Sequence, residues 1–330
     1  MAEETKLKLA WPPIGQDKVS AFLEKSLFSG QVAPVYIFSG PRDLGKSSLA
    51  LAFARNLWRH DRQEDNKNDD FSSLTSDLFI LEPEPDKKQI GIEQVRTFIK
   101  RLSLSYFLDS YKIGIIKEAG LLSAEAQNAL LKTLEEPRGK TVIIILVEDV
   151  SVLIPTIISR SQVLYFYPVS ADLIYDYLLL DDNAGRSLAK ELSAAALGRP
   201  LQARHWLENP GIYQERLDLV KKLFSFVEMS LSDRLSFIAS MGELSVKDVL
   251  LWVDIWEGLW RDALLITLNQ EDRLQYPALL SDWRRYLAGR RNEDNIFQSL
   301  SSLKHLQQAR EYLQGFINPK NILESLAIYF

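Results

Sequence analysis

Residues 40–47 carry the clearest chemical motif in the chain. They read GPRDLGKS, which matches the pattern G-x-x-x-x-G-K-[ST] between a strand-like run and an amphipathic helix. Gly40 and Gly45 allow backbone conformations that turn successive amides towards phosphate oxygens. Lys46 can reach the β- and γ-phosphates, Ser47 and Ser48 lie at the helix N-terminus, and Ser47 would hold Mg²⁺ only with a nucleotide bound. The motif predicts a nucleotide-binding loop, but not that the nucleotide is hydrolysed.

Hydrolysis in this class of site also needs a carboxylate at the end of a neighbouring strand. The corresponding position follows the strand-like run Lys112–Ile116 and holds Lys117 and Glu118. Glu118 could orient a water molecule, whereas Lys117 places a cation where a metal-binding carboxylate would stand, and like charges repel strongly where water is scarce. Two other interpretations of Lys117 are that it neutralises phosphate or that it points into solvent. All three predict poor hydrolysis.

Composition excludes several other kinds of site and of protein. The 330 residues contain no Cys and 3 His, which excludes disulfides, thiolate zinc sites, iron–sulfur clusters and a histidine-rich metal centre; no zinc or other metal site is predicted. The 39 Lys and Arg against 44 Asp and Glu exclude a histone-like basic protein but not a local basic groove. No apolar run reaches the ~20 residues that cross a bilayer, and the N-terminus lacks a signal-peptide core. We therefore expect a soluble, cytoplasmic protein without membrane contact.

The elements that would position the loop alternate between strands and helices. Strands are predicted at 35–38, 78–81, 112–116, 141–147 and 163–166, with helices at about 46–58 and 92–102 between them. Near-continuous Ile and Val runs are typical of parallel strands covered on both faces. The pattern predicts an α/β fold, a parallel sheet with helices on both faces, followed by helices alone.

The sequence predicts three domains, with boundaries near residues 168 and 210. These are an α/β nucleotide-binding-type domain at 1–168, a small helical domain at 169–210 and a helical C-terminal domain at 211–330. The triplet 209–211 (Asn-Pro-Gly) predicts a loop or a boundary between the second and third domains. The polar run 61–70 predicts a solvated loop in the first domain. A stripe of three tryptophans in the last domain predicts either core packing or an interface; its members are Trp252, Trp256 and Trp260.

Two further motifs carry a family resemblance. The segments 128–137 (NALLKTLEEP) and 155–161 (PTIISRS), supported by 14–16 and 92–96, resemble the AAA+ clamp-loader subunits of bacterial DNA polymerase III, most closely those of the delta prime type. The resemblance covers about 11–168. It implies an AAA+ P-loop module, a small helical lid and a helical collar that joins five subunits in a ring. The implied partners are gamma/tau and delta subunits and, through the complex, the sliding clamp and primed DNA.

The resemblance also implies a role for Arg160. In the family this turn carries Ser-Arg-Cys, whose arginine reaches the nucleotide of the neighbouring subunit. A guanidinium at that place stabilises charge on the transferring phosphoryl group, an effect worth roughly 10³–10⁵ in rate. The resemblance therefore implies that Arg160 is an arginine finger acting in trans; the alternative is a surface or salt-bridged arginine. Ser161 replaces the usual Cys and leaves this role unchanged.

Several departures from the family pattern concern the chain's own nucleotide site. The four-cysteine zinc module of many relatives is absent. Leu201 stands where hydrolysing relatives have an arginine sensor, with Arg199 nearby but differently spaced, and Val147 and Glu148 replace a polar sensor. The pattern implies a subunit that completes a neighbour's site and has weak or no ATPase activity of its own. Binding of ATP and Mg²⁺ by this chain is compatible with the pattern but is not implied by it.

The preferred hypothesis is a delta prime-like subunit that helps load the sliding clamp onto primed DNA. The alternative is an ATP-hydrolysing gamma/tau-like subunit, which the intact loop favours and which Lys117 and Leu201 oppose. The two family motifs argue against an unrelated phosphate-loop ATPase or kinase. A basic cluster in the helix near 92–102 could contact duplex phosphates or be an ordinary solvated face; its members are Arg96, Lys100 and Arg101.

Overall fold

The computed structural model describes residues 9–12, 14–62, 77–84, 87, 89–103, 111–137, 139–180, 184–315 and 317–330. The chain divides into two compact units, 1–177 with 198–201, and 178–197 with 202–330. The first is the α/β part, and the described residues of the second are helices and turns. The predicted three-domain division stays a prediction, since the compact units have different boundaries.

The first unit is built on a five-stranded parallel sheet. Its strands are β1 (Val35–Ser39), β2 (Leu78–Leu81), β3 (Lys112–Ile116), β4 (Thr141–Val147) and β5 (Gln162–Tyr165), in the order β2-β3-β4-β1-β5. Every residue of β1, β3 and β4 is buried. The parallel, doubly covered sheet that the Ile and Val runs predict is therefore confirmed.

The helices cover the sheet and then form the second unit. They are α1 (Asp17–Phe28), α2 (Lys46–Arg62), α3 (Ile92–Ser103), α4 (Ala124–Glu135), α5 (Pro155–Ile158), α6 (Ala171–Leu179), α7 (Arg186–Ala195), α8 (Pro200–Glu208), α9 (Pro210–Glu228), α10 (Leu231–Ser240), α11 (Val246–Thr267), α12 (Leu280–Leu287), α13 (Asn292–Gln314) and α14 (Pro319–Tyr329). In the described part of the chain, no helix is both long and apolar enough to span a bilayer.

Two segments predicted as loops or boundaries have different outcomes. Helix α2 continues to Arg62, so the first two residues of the predicted 61–70 loop are helical; Asp61 is held by an ion pair of 3.0 Å with Lys140 Nζ. Residues 63–70 lie outside the described residues. The triplet 209–211 marks a boundary between two helices, since α8 ends at Glu208 and α9 begins at Pro210. Proline suits the first helical position, where its missing N–H would have no partner.

The tryptophan stripe of α11 lies in the core of the second unit. Trp256 and Trp260 are fully buried and Trp252 nearly so, and the Trp256 Nε1–H donates to the Leu223 carbonyl oxygen at 3.1 Å. The core-packing interpretation is therefore confirmed for these side chains.

A buried carboxylate ties a turn to α11 in the same unit. Asp262 is 0% exposed, and its two oxygens accept the backbone N–H groups of Gln275 and Tyr276, each at 2.8 Å. Burial raises the pKa of Asp262 to about 6, although the two amides and the nearby Arg261 oppose the shift. The carboxylate satisfies two backbone donors that would otherwise be buried without partners.

Candidate functional site

The predicted phosphate loop connects β1 to α2 and has the backbone that its glycines allow. Gly40 has a φ of +152°, and a Cβ added there would lie 2.4 Å from the Phe166 carbonyl oxygen. Gly45 has a φ of +87°. Both positions therefore require glycine, one because of space and conformation and the other because of conformation alone.

Lys46 closes over the loop from the first turn of α2. Its Nζ donates to the carbonyl oxygens of Gly40 and Pro41, the latter at 2.6 Å. Burial lowers the pKa of Lys46. A phosphate group could replace these carbonyls as the partner of the ammonium, because the loop and the N-terminus of α2 place amides and positive charge around the same space. The loop residues therefore fit the phosphates of a nucleotide.

The fit to a metal ion is poorer. Among the residues that the structure describes, no group of three or more His, Cys, Asp or Glu side chains could hold a metal. Ser47, half-buried at the start of α2, is the loop hydroxyl that would contact Mg²⁺ brought by a nucleotide.

Two carboxylates beside the loop are engaged by a loop arginine. The Arg42 Nε donates to Glu148 Oε1, and its Nη2 lies 3.8 Å from Glu118 Oε2. The hydrogen bond to Glu148 raises the pKa of Arg42. Glu118 and Glu148 follow β3 and β4, so one guanidinium neutralises acidic groups at the ends of both strands. Sequence reasoning missed Arg42; the signal was an arginine within the loop motif itself.

Lys117, the residue that follows β3, pairs with a residue that follows the neighbouring strand β2. Its Nζ pairs with Glu82 Oε2 at 2.9 Å, and its backbone N–H donates to the Leu81 carbonyl oxygen. Because β4 separates β3 from β1, this pairing directs Lys117 towards β2 and away from the loop. This contact does not support the interpretation in which Lys117 neutralises phosphate. Lys117 also does not simply point into solvent, because it forms an ion pair at the surface.

Leu201 does lie beside the loop. Its backbone N–H donates to the Asp43 carbonyl oxygen at 3.2 Å, so the position expected for an arginine sensor adjoins the loop but carries an apolar side chain. Gly198, with a φ of +79°, starts this segment, and its carbonyl oxygen accepts the Val169 N–H. Arg199 is half-buried. The backbone of the site is complete, whereas the sensing cation is missing at Leu201.

Arg160 lies between α5 and β5, far from the loop of its own chain. Its Nη2 pairs with Glu135 Oε1 at 2.6 Å, and its Nη1 donates to the Thr156 carbonyl oxygen at 3.0 Å and to Ser159 Oγ at 3.3 Å. Its side chain is 36% exposed. The structure thus brings Arg160 together with Glu135, a partner that sequence reasoning did not identify.

The sheet register places Arg160 and the loop at opposite ends of the parallel strands β5 and β1. Strand β5 runs parallel to β1, with Gln162 opposite Tyr36 and Tyr165 opposite Ser39, the residue before the loop. The four residues of β5 span about 13 Å at ~3.3 Å per residue. Arg160 precedes β5 and Gly40 follows β1, so Arg160 cannot contact a phosphate in its own loop.

The three predicted basic residues share the exposed face of α3. Arg96 pairs with Glu93 at 2.6 Å, and Lys100 and Arg101 lie exposed in the last turn. The structure therefore brings the three cations together on one exposed helix face, with Arg96 already paired.

Comparison with known proteins supports the family resemblance. The family model described as "DNA polymerase III, delta subunit" matches residues 15–170. The chain is 24% identical to DNA polymerase III subunit delta' of Bacillus subtilis, covering 98% of each protein. It is 31% identical to subunit delta' of Pseudomonas aeruginosa, over 58% of this chain and 60% of that protein. Subunit tau of Bacillus subtilis is 29% identical over 49% of this chain and 29% of its own length.

The match to tau is confined to about half of the chain, whereas the match to the Bacillus delta' subunit runs nearly end to end. The matched region 15–170 also contains the parallel sheet, the phosphate loop and Arg160. These similarities support a delta prime-type clamp-loader subunit of bacterial DNA polymerase III, within the AAA+ family.

Proposed function

We propose that this subunit supplies Arg160 to the ATP site of a neighbouring subunit in a clamp-loader ring, and thereby helps place a sliding clamp on primed DNA. The observation that supports this most strongly is the position of Arg160 at the end of the strands opposite its own loop. An arginine that is partly exposed and cannot reach its own site can act on phosphate only in another molecule.

The chemistry proposed for Arg160 is electrostatic. A guanidinium at the γ-phosphate of the neighbour stabilises the charge that spreads over the transferring phosphoryl oxygens. Among the described residues the Arg160 Nε–H has no hydrogen-bond partner, so the side chain can add a phosphate to its existing contacts. Its planar, always charged donor group suits this role better than an ammonium.

The chain's own loop is proposed to bind a nucleotide weakly or as a structural ligand, with little hydrolysis. Lys46 and the loop amides fit phosphates, and Ser47 would contact any Mg²⁺ that the nucleotide brings. Glu118, the candidate for positioning water, lies beside Arg42. Leu201 supplies no cation. These features support binding more than turnover.

The proposed partners are gamma/tau-type and delta-type subunits, with the sliding clamp and primed DNA contacted through the complex in the cytoplasm. The helical region 211–330 would form the collar and 169–210 the lid. The exposed basic face of α3 would contact duplex phosphates without reading sequence, so its contribution should weaken as salt rises.

The alternative, a gamma/tau-like ATPase, is favoured by one observation: Gly40, Gly45 and Lys46 have the backbone and side-chain placement of a working phosphate loop. Measuring turnover separates the two functions. We expect the purified chain alone to hydrolyse ATP at least about 10³-fold more slowly than the assembled loader, with or without primed DNA, because its own site lacks a finger, a sensor and a free acidic group.

A coupled-enzyme assay of phosphate release on the isolated chain checks this prediction. The matched control is the same preparation carrying Lys46→Ala, which removes the loop lysine and should leave the trace rate unchanged if that rate comes from a contaminant. Brisk turnover that Lys46→Ala abolishes would favour the gamma/tau-like function.

A further inference from the structure

Helix α4 contacts the segment 152–160, which ends at Arg160, at two places. Near its start, the buried Gln127 accepts the Ile154 N–H at 2.9 Å and donates to the Val152 carbonyl oxygen at 3.3 Å. Ile154 is the residue immediately before α5. Its anchoring by Gln127 fixes where α5 begins, and Arg160 lies just past the end of that helix.

At its other end, α4 contacts the arginine itself. Glu135 is the last residue of α4 and pairs with Arg160 Nη2 at 2.6 Å. Together with the Thr156 carbonyl oxygen and Ser159 Oγ, it gives the guanidinium acceptors on two of its three nitrogens. A long, flexible side chain at the surface is thereby held in one orientation.

The placement of Glu135 is unfavourable for the helix taken alone. The C-terminal end of a helix carries partial negative charge, so carboxylates in the last turn are disfavoured there and cations are favoured. A residue whose charge opposes the helix dipole in this way is more readily explained at a functional position. The pairing with Arg160 provides the compensation.

From these contacts we infer that Glu135 is a positioning residue for the arginine finger: it pre-orders Arg160 so that the neighbour's phosphate meets an already oriented guanidinium. The inference rests on the function proposed above. Pre-ordering lowers the side-chain entropy lost when Arg160 engages phosphate. Because the Glu135–Arg160 pair is partly solvated, the benefit should be modest.

The test uses the complete loader, assembled from this chain and the gamma/tau-type and delta-type subunits of the same organism. ATP turnover is measured with Glu135→Ala, with Arg160→Ala, with both changes together, and with Glu136→Ala, which removes the adjacent exposed carboxylate and serves as the matched control. We expect Glu135→Ala to lower kcat about three- to tenfold with an unchanged KM for ATP. Glu136→Ala should have no such effect.

The double variant separates a positioning role from a purely structural one, in which the losses of the two single variants would add. If Glu135 acts through Arg160, adding Glu135→Ala to Arg160→Ala should cause no further loss. Glu135→Gln, whose amide oxygen still accepts a guanidinium N–H, should recover part of the rate, and it replaces Glu135→Ala if that variant does not assemble by size-exclusion chromatography.

Each remaining outcome overturns a defined part of the account. A normal rate with Glu135→Ala, alongside a reduced rate with Arg160→Ala, overturns the positioning role and leaves the finger intact. A rate raised by Glu135→Ala, or losses that add in the double variant, also overturns the positioning role. A normal rate with Arg160→Ala overturns the proposed function and the positioning role together.

Discussion

A clamp loader that contains Arg160→Ala should hydrolyse ATP roughly 10³-fold more slowly at the site next to this subunit. The expected loss is large because a finger arginine acts on charge that develops only in the transition state, and no other group of the site replaces it. Single-turnover hydrolysis by the assembled ring measures the loss at that site, and transfer of the clamp to primed DNA measures its consequence.

The ring itself should still assemble with this variant. Arg160 is partly exposed and its acceptors, on Glu135, Thr156 and Ser159, belong to exposed residues, so its removal leaves no buried group unsatisfied. Arg160→Lys provides the matched control: it keeps the charge but loses the planar donor group, and it should restore only a small part of the rate. Normal clamp loading by Arg160→Ala would remove the finger assignment.

The second large effect concerns stability. Asp262→Ala should lower the free energy of unfolding by about 2–5 kcal/mol at pH 5, because the buried N–H groups of Gln275 and Tyr276 both lose their acceptor. Asp254→Ala, on the same helix, is the matched control. It removes an exposed ion pair with Arg310 and should cost at most about 1 kcal/mol. Urea unfolding followed by circular dichroism measures both.

The effect of Asp262→Ala should depend on pH. The folded-state pKa of Asp262 is raised to about 6, above its unfolded value, so its favourable contribution is complete below the unfolded pKa and is lost as pH rises through about 6. The difference in stability between wild type and Asp262→Ala should therefore shrink by about 1 kcal/mol between pH 5 and pH 7.5. A difference that grows over this range would contradict the raised pKa.

The sequence predicted the sheet well because its strands are long apolar runs. Strands β3 and β4 were found with their bounds, since a strand buried on both faces is continuously apolar in sequence. The loop at 40–47 was found because its spacing is fixed by phosphate geometry. A serine just before an apolar helical stripe is a local signal of the same kind, and the Ser123 Oγ accepts the Ala126 N–H at the start of α4. Each of these signals is local in the chain.

The contacts that the sequence did not predict join residues that are distant along the chain. Glu135 and Arg160, Lys117 and Glu82, and Arg42 and Glu148 meet only because the sheet order brings their strands and helices together. Local periodicity shows which face of an element is buried but not which charged side chain lies opposite another. For the same reason, the loop expected at Asp61 was wrong: its contact with Lys140 depends on the fold.

The charges at the two ends of the sheet strands support the division of roles proposed for the loop and Arg160. At the loop end, Arg42 lies beside Glu148 and Glu118, and Lys117 is paired with Glu82. The acidic groups that a hydrolytic centre would use are therefore occupied by cations of the protein. At the opposite end, Arg160 is oriented and partly exposed. This arrangement favours action on a neighbour's nucleotide over action on the chain's own.

One comparison tests that claim most directly: the rate of clamp loading by two otherwise identical rings, one with Lys46→Ala and one with Arg160→Ala in this subunit. Lys46 serves the chain's own loop, and Arg160 serves the proposed site of the neighbour. The account predicts that Arg160→Ala slows loading much more than Lys46→Ala does. A larger defect with Lys46→Ala would contradict it and would make this subunit's own nucleotide the important one.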